Sequence, residues 1–192
     1  MKKETMTLVA LAALALPGFA NQVQITSDGR PDRIFRPARG LDNEDARFLH
    51  QALVSDQFEL ICGNLALRNG TGDFTREFAK EMLVDHQAAK DEAVQTAKDR
   101  GITPDADLPQ PLQAQINHMS KLHGTEFDQA YRHVQEVGHE MTIHAYKNEI
   151  ENGHDDLVKA MAVKELPTVE LHYRMLLEKK TMMGDTAAKH GS

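Results

Sequence analysis

Apolar residues recur along this chain at steps of three and four. Between Asp42 and Asn69 the stripe is Ala46, Leu49, Leu53, Leu60 and Leu67. A period of about 3.6 predicts an amphipathic helix. Asp42, Glu44 and Asp45 make its acidic start, and Gly70 and Gly72 end it. A second helix is predicted from Asp73, a residue suited to an N-cap, to Arg100, with Phe74, Phe78, Met82, Ala89, Ala93 and Ala97 on one face. Gly101 and then Pro104 stop it. A third helix opens at Thr125, with Asp128 three residues on as in a capping box, and buries Phe127, Tyr131, Val134, Gly138, Met141 and Ala145. After the Asn152-Gly153 turn, a fourth segment runs from Asp155 to about Met182. Pro167 is expected to break or kink it, because proline lacks the amide donor. No alternating β-branched run appears, so the fold class is all-α.

The connections set the topology. Those at 70–72 and 152–154 are short and imply antiparallel hairpins. The stretch from Gly101 to Gly124 is long, carries Pro104, Pro109 and Pro111, and is expected to hold a short helix near Leu112 to Leu122. A helix of about 27 residues is roughly 40 Å long, and such a connection can run that length. Two arrangements fit: an up-down-up-down bundle with a loose loop, and a four-helix bundle with one long crossover between the second and third helices. The crossover, which is the topology of ferritin-like folds, is preferred because long structureless loops are uncommon in compact domains.

Polar residues interrupt the buried faces at one level. In the crossover arrangement Glu59 lies roughly 16 Å and His86 roughly 21 Å from the first turn, with His139 roughly 21 Å and His172 roughly 14 Å along their own helices. Asp85 adjoins His86, and Glu136 stands three residues before His139. One reading is a metal site, with His86, His139 and His172 as ligands, Glu59 as an anionic ligand, and Asp85 and Glu136 in support. Imidazole with carboxylate suits iron, copper or zinc and is poor for calcium. The other reading is a hydrogen-bonded layer that only fixes helix register. Glu136-x-x-His139 matches one element of carboxylate-bridged di-iron bundles. A second such pair, Glu151-x-x-His154, spans a turn, and helix two has no Glu at the required place, so the full motif is absent. Met82, Met141, Met161 and Met175 fall at core spacing, and Cys62 reads as a small packing residue.

Three pieces carry a resemblance: Phe78-Ala79-x-x-Met82-x-x-Asp85-His86; Gly124-x-x-Phe127-Asp128-x-x-Tyr131 with His139 eight residues on; and Leu166-Pro167-Thr168-x-x-x-His172. Glu59 followed by Leu65-Ala66 fits the same pattern. In their order and spacing the chain, from about Asp42 to Leu177, resembles a bacterial family of exported ferritin-like proteins that carry a domain of unknown function and are often labelled outer-membrane proteins. The resemblance implies a four-helix ferritin-like bundle. It implies characteristic polar residues at Glu59, Asp85, His86, Asp128, Tyr131, His139 and His172, with Asp128 capping the third helix and Tyr131 donating a hydrogen bond into the core. It implies no particular activity.

Charge and composition narrow the partners. The net charge is −7, with 22 basic against 29 acidic residues, which argues against a nucleic-acid binder. A single Cys excludes a disulfide framework, a Cys-rich zinc module and haem held by Cys-x-x-Cys-His. Lys2 and Lys3, the apolar run Met6 to Leu16, and Gly18-Phe19-Ala20 read as a signal peptide cleaved after Ala20. Export follows, most simply to the periplasm. Residues 21–40 read as a flexible Arg- and Pro-rich arm in which Arg30, Arg33, Arg36 and Arg39 recur every third position. A solvated linker is the preferred reading of the arm, and a tether to an anionic envelope surface or envelope protein is the alternative. Residues 41–182 form the bundle domain and 183–192 a disordered tail. The functions in play are metal or small-ligand binding in the envelope with a link to stress tolerance, a structural or interaction module, and a metal-dependent oxidoreductase.

Overall fold

A computed structural model describes residues 43–189. The segments read above as signal peptide and arm, and residues 190–192, lie outside the described residues. Five α-helices follow in order: α1 (Asn43–Asn69), α2 (Asp73–Asp99), α3 (Gln110–Met119), α4 (Gly124–Asn152) and α5 (Asp156–Lys189). Among the described residues there is no strand. Nor is any helix long and apolar enough to cross a membrane. The all-α reading therefore holds among the described residues, with the four long helices and the one short helix that were expected.

Several local expectations shift. The short helix begins at Gln110, two residues early, because Pro111 fits the first turn, where an amide donor is not needed. α4 opens at Gly124 with His123 as N-cap and no side-chain cap bond, so the expected Thr125–Asp128 box does not form. α5 continues through Pro167 and on to Lys189, past the boundary expected at 182. Pro167 is tolerated because it faces solvent, and so does Val163, whose carbonyl loses its amide partner. Water can satisfy that carbonyl.

Hydrogen bonds at the two ends fix the path of the chain. At one end, the α1–α2 turn meets the start of α4: the Thr71 and Gly72 amides donate to Asp128. At the other, the Arg100 guanidinium after α2 donates to Asp155 just before α5, and the His154 amide donates to Asp45 at the start of α1. The connection between α2 and α4 thus travels from one end to the other, and α2 and α4 run the same way. Ile102, early in that connection, is buried with one apolar cluster, while Met119, late in it, is buried with the other. Gly101, at φ 69°, turns the chain out of α2, a conformation an L side chain rarely takes.

The core is divided. One cluster gathers Leu49, Leu53, Ala93, Ala97, Val158 and Met161, with Phe48 edge-on to Tyr146. The second gathers Phe58, Cys62, Phe78, Met82, Phe127 and Leu176. On each long helix the residues between these clusters are polar and buried: Asp56 and Glu59 on α1, His86 on α2, Gln135 and His139 on α4, Glu165 and His172 on α5. Every long helix therefore contributes to one polar layer at mid-height.

Candidate metal centre

Each histidine reaches the layer from a different helix. His86 follows Met82 by one turn, His139 follows Gln135 by one turn, and His172 precedes Leu176 by one turn, so helical period alone aims all three inward. All three are buried. Their ring centroids are 5.9 Å (His86–His139), 5.7 Å (His86–His172) and 5.4 Å (His139–His172) apart. One ring nitrogen from each lies within 4.8 Å of the others. Phe78 stands edge-on to His172 and closes the apolar side.

In every ring one nitrogen is engaged and the other has no partner in the protein. His86 Nδ1 is 2.8 Å from Asp56 Oδ1, His139 Nδ1 donates to the Gln135 carbonyl at 2.9 Å, and His172 Nε2 is 3.0 Å from Asp85 Oδ2. His86 Nε2, His139 Nε2 and His172 Nδ1 are left over. A carbonyl can only accept, so His139 carries its proton on Nδ1, and its Nε2 offers a lone pair when the ring is neutral. The rings are held neutral. Burial, reinforced by the neighbouring His86, lowers His139 to about 3. Burial also lowers His86, against the opposing pull of Glu59 and Asp85, and lowers His172 against its bond to Asp85.

The supporting carboxylates divide. Asp85, half-buried, orients His172 as a supporting residue would. Glu59 is buried in the layer, yet it does not join the converging nitrogens; it accepts from Gln135 Nε2 at 2.5 Å. Burial raises its pKa, and the nearby His86 and the Gln135 bond offset part of that rise. Glu136 lies away from the layer and accepts from Lys180 at 2.6 Å near the surface, because one step from Gln135 turns it about 100° around the helix. Asp128 does not cap its own helix. It takes the Thr71 and Gly72 amides and the Thr71 hydroxyl at the mouth of α2. Tyr131 is buried, but its hydroxyl finds no partner, contrary to the expected donation into the core.

Three residues of the layer were missed in the sequence: Asp56, Gln135 and Glu165. Asp56 had a signal. It is three residues after Leu53 and four before Leu60, where the stripe called for an apolar side chain. Gln135 stands four residues after Tyr131 and four before His139, on the same face. Glu165 accepts the Tyr146 hydroxyl at 2.7 Å. Its pKa is raised to about 8 by burial first, with Asp56 and Glu92 adding repulsion.

A cavity of about 170 Å³ reaches this layer from the surface, walled by Asp56, His86, Glu92, Tyr146, Glu165 and His172 among others. Exposed Lys164, paired with Glu92 at 2.5 Å, stands at its rim.

Comparison with known proteins places the chain without giving it an activity. Residues 33–178 match the family described as a domain of unknown function, DUF4142. No curated protein matches the sequence. A DUF305 protein of Streptomyces coelicolor, described as a candidate secreted protein, superposes with TM-score 0.63 at 15% identity, over 73% of this chain and 92% of that one. A DUF305 fragment from Deinococcus radiodurans superposes with TM-score 0.64 at 11% identity, over 72% and 95%. At these identities the likeness is one of fold.

Proposed function

This chain belongs to the DUF4142 family, and on that premise we propose that it is an exported protein that binds one transition-metal ion through His86, His139 and His172. The carrying observation is the way the three rings are held. Protein-bound metals are ligated by imidazoles whose other nitrogen is fixed by a carboxylate or a backbone carbonyl. Here Asp56, the Gln135 carbonyl and Asp85 occupy those places. A layer serving only helix register would be expected to satisfy its buried nitrogens, since an unpaired buried polar atom costs about 1–3 kcal/mol. Three such nitrogens, one on each ring of a cluster whose rings offer donors within 4.8 Å of one another, support a ligand.

The fit is chemical as well as geometric. Neutral imidazoles suit zinc, copper or iron. Metal–nitrogen bonds of about 2.0–2.1 Å put tetrahedral donors roughly 3.3 Å apart, so modest ring rotations would close the present separation. Glu59, close enough to His86 to influence its charge, would offset part of the ion's charge without ligating it. The one-crossover path supports a ferritin-like four-helix bundle as the scaffold. The DUF305 neighbour described as secreted supports export, with the periplasm as the compartment.

Elemental analysis of untagged protein purified without chelator tests this. One equivalent of zinc, copper or iron is expected, and none in the triple variant His86→Ala, His139→Ala, His172→Ala. Absence of metal from the wild-type chain after anaerobic loading with all three ions would overturn the proposal. The cavity favours one second reading, a metal-dependent oxidoreductase. It reaches His86 and His172, which would leave a coordination position open to a small molecule. Perturbation of a copper or iron spectrum by azide would support that reading, and indifference to azide would count against it.

A further inference from the structure

The cavity itself has a chemistry that the three histidines do not use. Asp56 and Glu165 face it from α1 and α5, and they are only 2% and 8% exposed. Each keeps a carboxylate oxygen, Asp56 Oδ2 and Glu165 Oε1, without any hydrogen-bond partner in the protein. The other oxygen of each is spoken for, by His86 Nδ1 and by the Tyr146 hydroxyl. Two buried carboxyl oxygens left without a protein partner beside a polar cavity with room for several waters are open to a ligand there, and a bound cation would take the place of the proton that burial favours on Glu165. The two lysines that act on these carboxyls are bonded elsewhere, Lys90 to Gln57 and Lys164 to Glu92.

We propose that the cavity is a second binding position, for a hard, partly hydrated divalent cation such as Mn²⁺ or Mg²⁺, held by Asp56 and Glu165 beside the histidine cluster. The donors are carboxylate oxygens with water, the set that hard cations prefer over imidazole. The neighbouring hydroxyls of Tyr146 and Thr168 add neutral oxygens to the same wall. This position stands whether or not the histidines hold a metal. It differs from them in ligand class and in its dependence on Glu165, while Asp56 serves both.

The test is Mn²⁺ titration of the full chain, followed by loss of the free-ion electron paramagnetic resonance signal, first with one equivalent of Zn²⁺ present to occupy the imidazoles. One Mn²⁺ per chain is expected. Glu165→Gln, which is isosteric, should weaken it at least tenfold while Zn²⁺ binding persists. Glu165→Asp, which keeps the charge and shortens the reach, should weaken it less. His139 does not line the cavity, so His139→Ala should lose Zn²⁺ and keep Mn²⁺. Thermal melts check that the variants fold. No bound Mn²⁺ up to roughly millimolar concentration, or Mn²⁺ binding unchanged in Glu165→Gln, would overturn the proposal. Glu165-dependent Mn²⁺ binding in a chain that takes up no zinc, copper or iron would leave this site standing and remove the histidine one.

Discussion

Two polar groupings hold the helices of this protein together, and they are built on opposite principles. At the α1–α2 turn, Asp128 uses both oxygens on neighbours: Oδ1 takes the Thr71 amide, and Oδ2 takes the Gly72 amide and the Thr71 hydroxyl. Gly70 packs there so tightly that a Cβ would fall 2.7 Å from the Ala66 carbonyl. At mid-height, each histidine commits one nitrogen and leaves the other unpaired. A brace is complete when its hydrogen bonds are. A site keeps donor atoms in reserve, at a cost in stability that a ligand can repay. The same sequence-level class, polar residues at helix-facing positions, thus divides into structure and candidate function only when the partners of each atom are known.

That contrast can be broken at four points. The largest effect is expected where an orienting group is removed from a reserved nitrogen. Asp56→Asn and Asp85→Asn should each weaken transition-metal affinity by about 10–100-fold, measured by competition with a chromophoric chelator. Affinity equal to wild type in both would mean that the rings need no orientation. Next comes the brace. Asp128→Ala should lower stability by about 1–2 kcal/mol in urea unfolding and leave metal stoichiometry at the wild-type value. Metal loss in Asp128→Ala would show that the two groupings are coupled.

The third test uses pH on metal-free protein. His139 is held near 3, against an ordinary value of 6.5. Between those values the unfolded chain takes up a proton that the folded ring refuses. Its contribution is therefore present above about pH 6.5 and is lost as pH falls toward about 3. Glu165 acts in the opposite sense, because its carboxyl is pushed up to about 8 from 4.5. The folded carboxyl keeps a proton that the unfolded chain releases, so its contribution is full below about pH 4.5 and is lost as pH rises through about 8. In Glu165→Gln the alkaline decline should flatten, with a gain of about 1–2 kcal/mol at pH 8 after discounting for water in the open cavity. Parallel profiles for variant and wild type would place that carboxyl in solvent contact. The smallest effect is expected at Tyr131. Its buried hydroxyl has no partner in the protein, so Tyr131→Phe should change stability by less than about 0.5 kcal/mol or raise it slightly. A loss above about 1 kcal/mol would reveal a hydrogen bond to an ordered water.

Much of the fold was legible before the structure. α1 and α2 were read to within a residue or so, because Gly70, Gly72 and Gly101 punctuate strong apolar periods. The crossover could be argued from the length of one connection. The errors lie where local rules compete with packing. Thr125 and Asp128 satisfy a capping pattern, yet Asp128 is drawn to the open amides of the adjacent turn. Pro167 should break a helix, yet an exposed face tolerates it. In the site, His86, His139 and His172 stood out because each interrupts an apolar stripe. Asp56 occupies an equally conspicuous gap between Leu53 and Leu60, but a stripe defined by apolar residues alone does not show it. On α4 the traced face drifted to Met141 and Ala145, whereas the buried face continues through Gln135, His139 and Tyr146.

By itself, the sequence determined that the described chain is helical, where α1 and α2 begin and end, and that a polar layer crosses the core at one height. Periodicity and glycine punctuation are local properties, and residue order carries them. Only the tertiary structure decided which atoms of that layer are spent and which are left over. Hydrogen-bond partners such as Asp56 for His86 or Asp85 for His172 lie tens of residues apart along the chain and meet only when four helices pack. A ring nitrogen becomes a candidate ligand through what fails to touch it, and that is a property of the packed core.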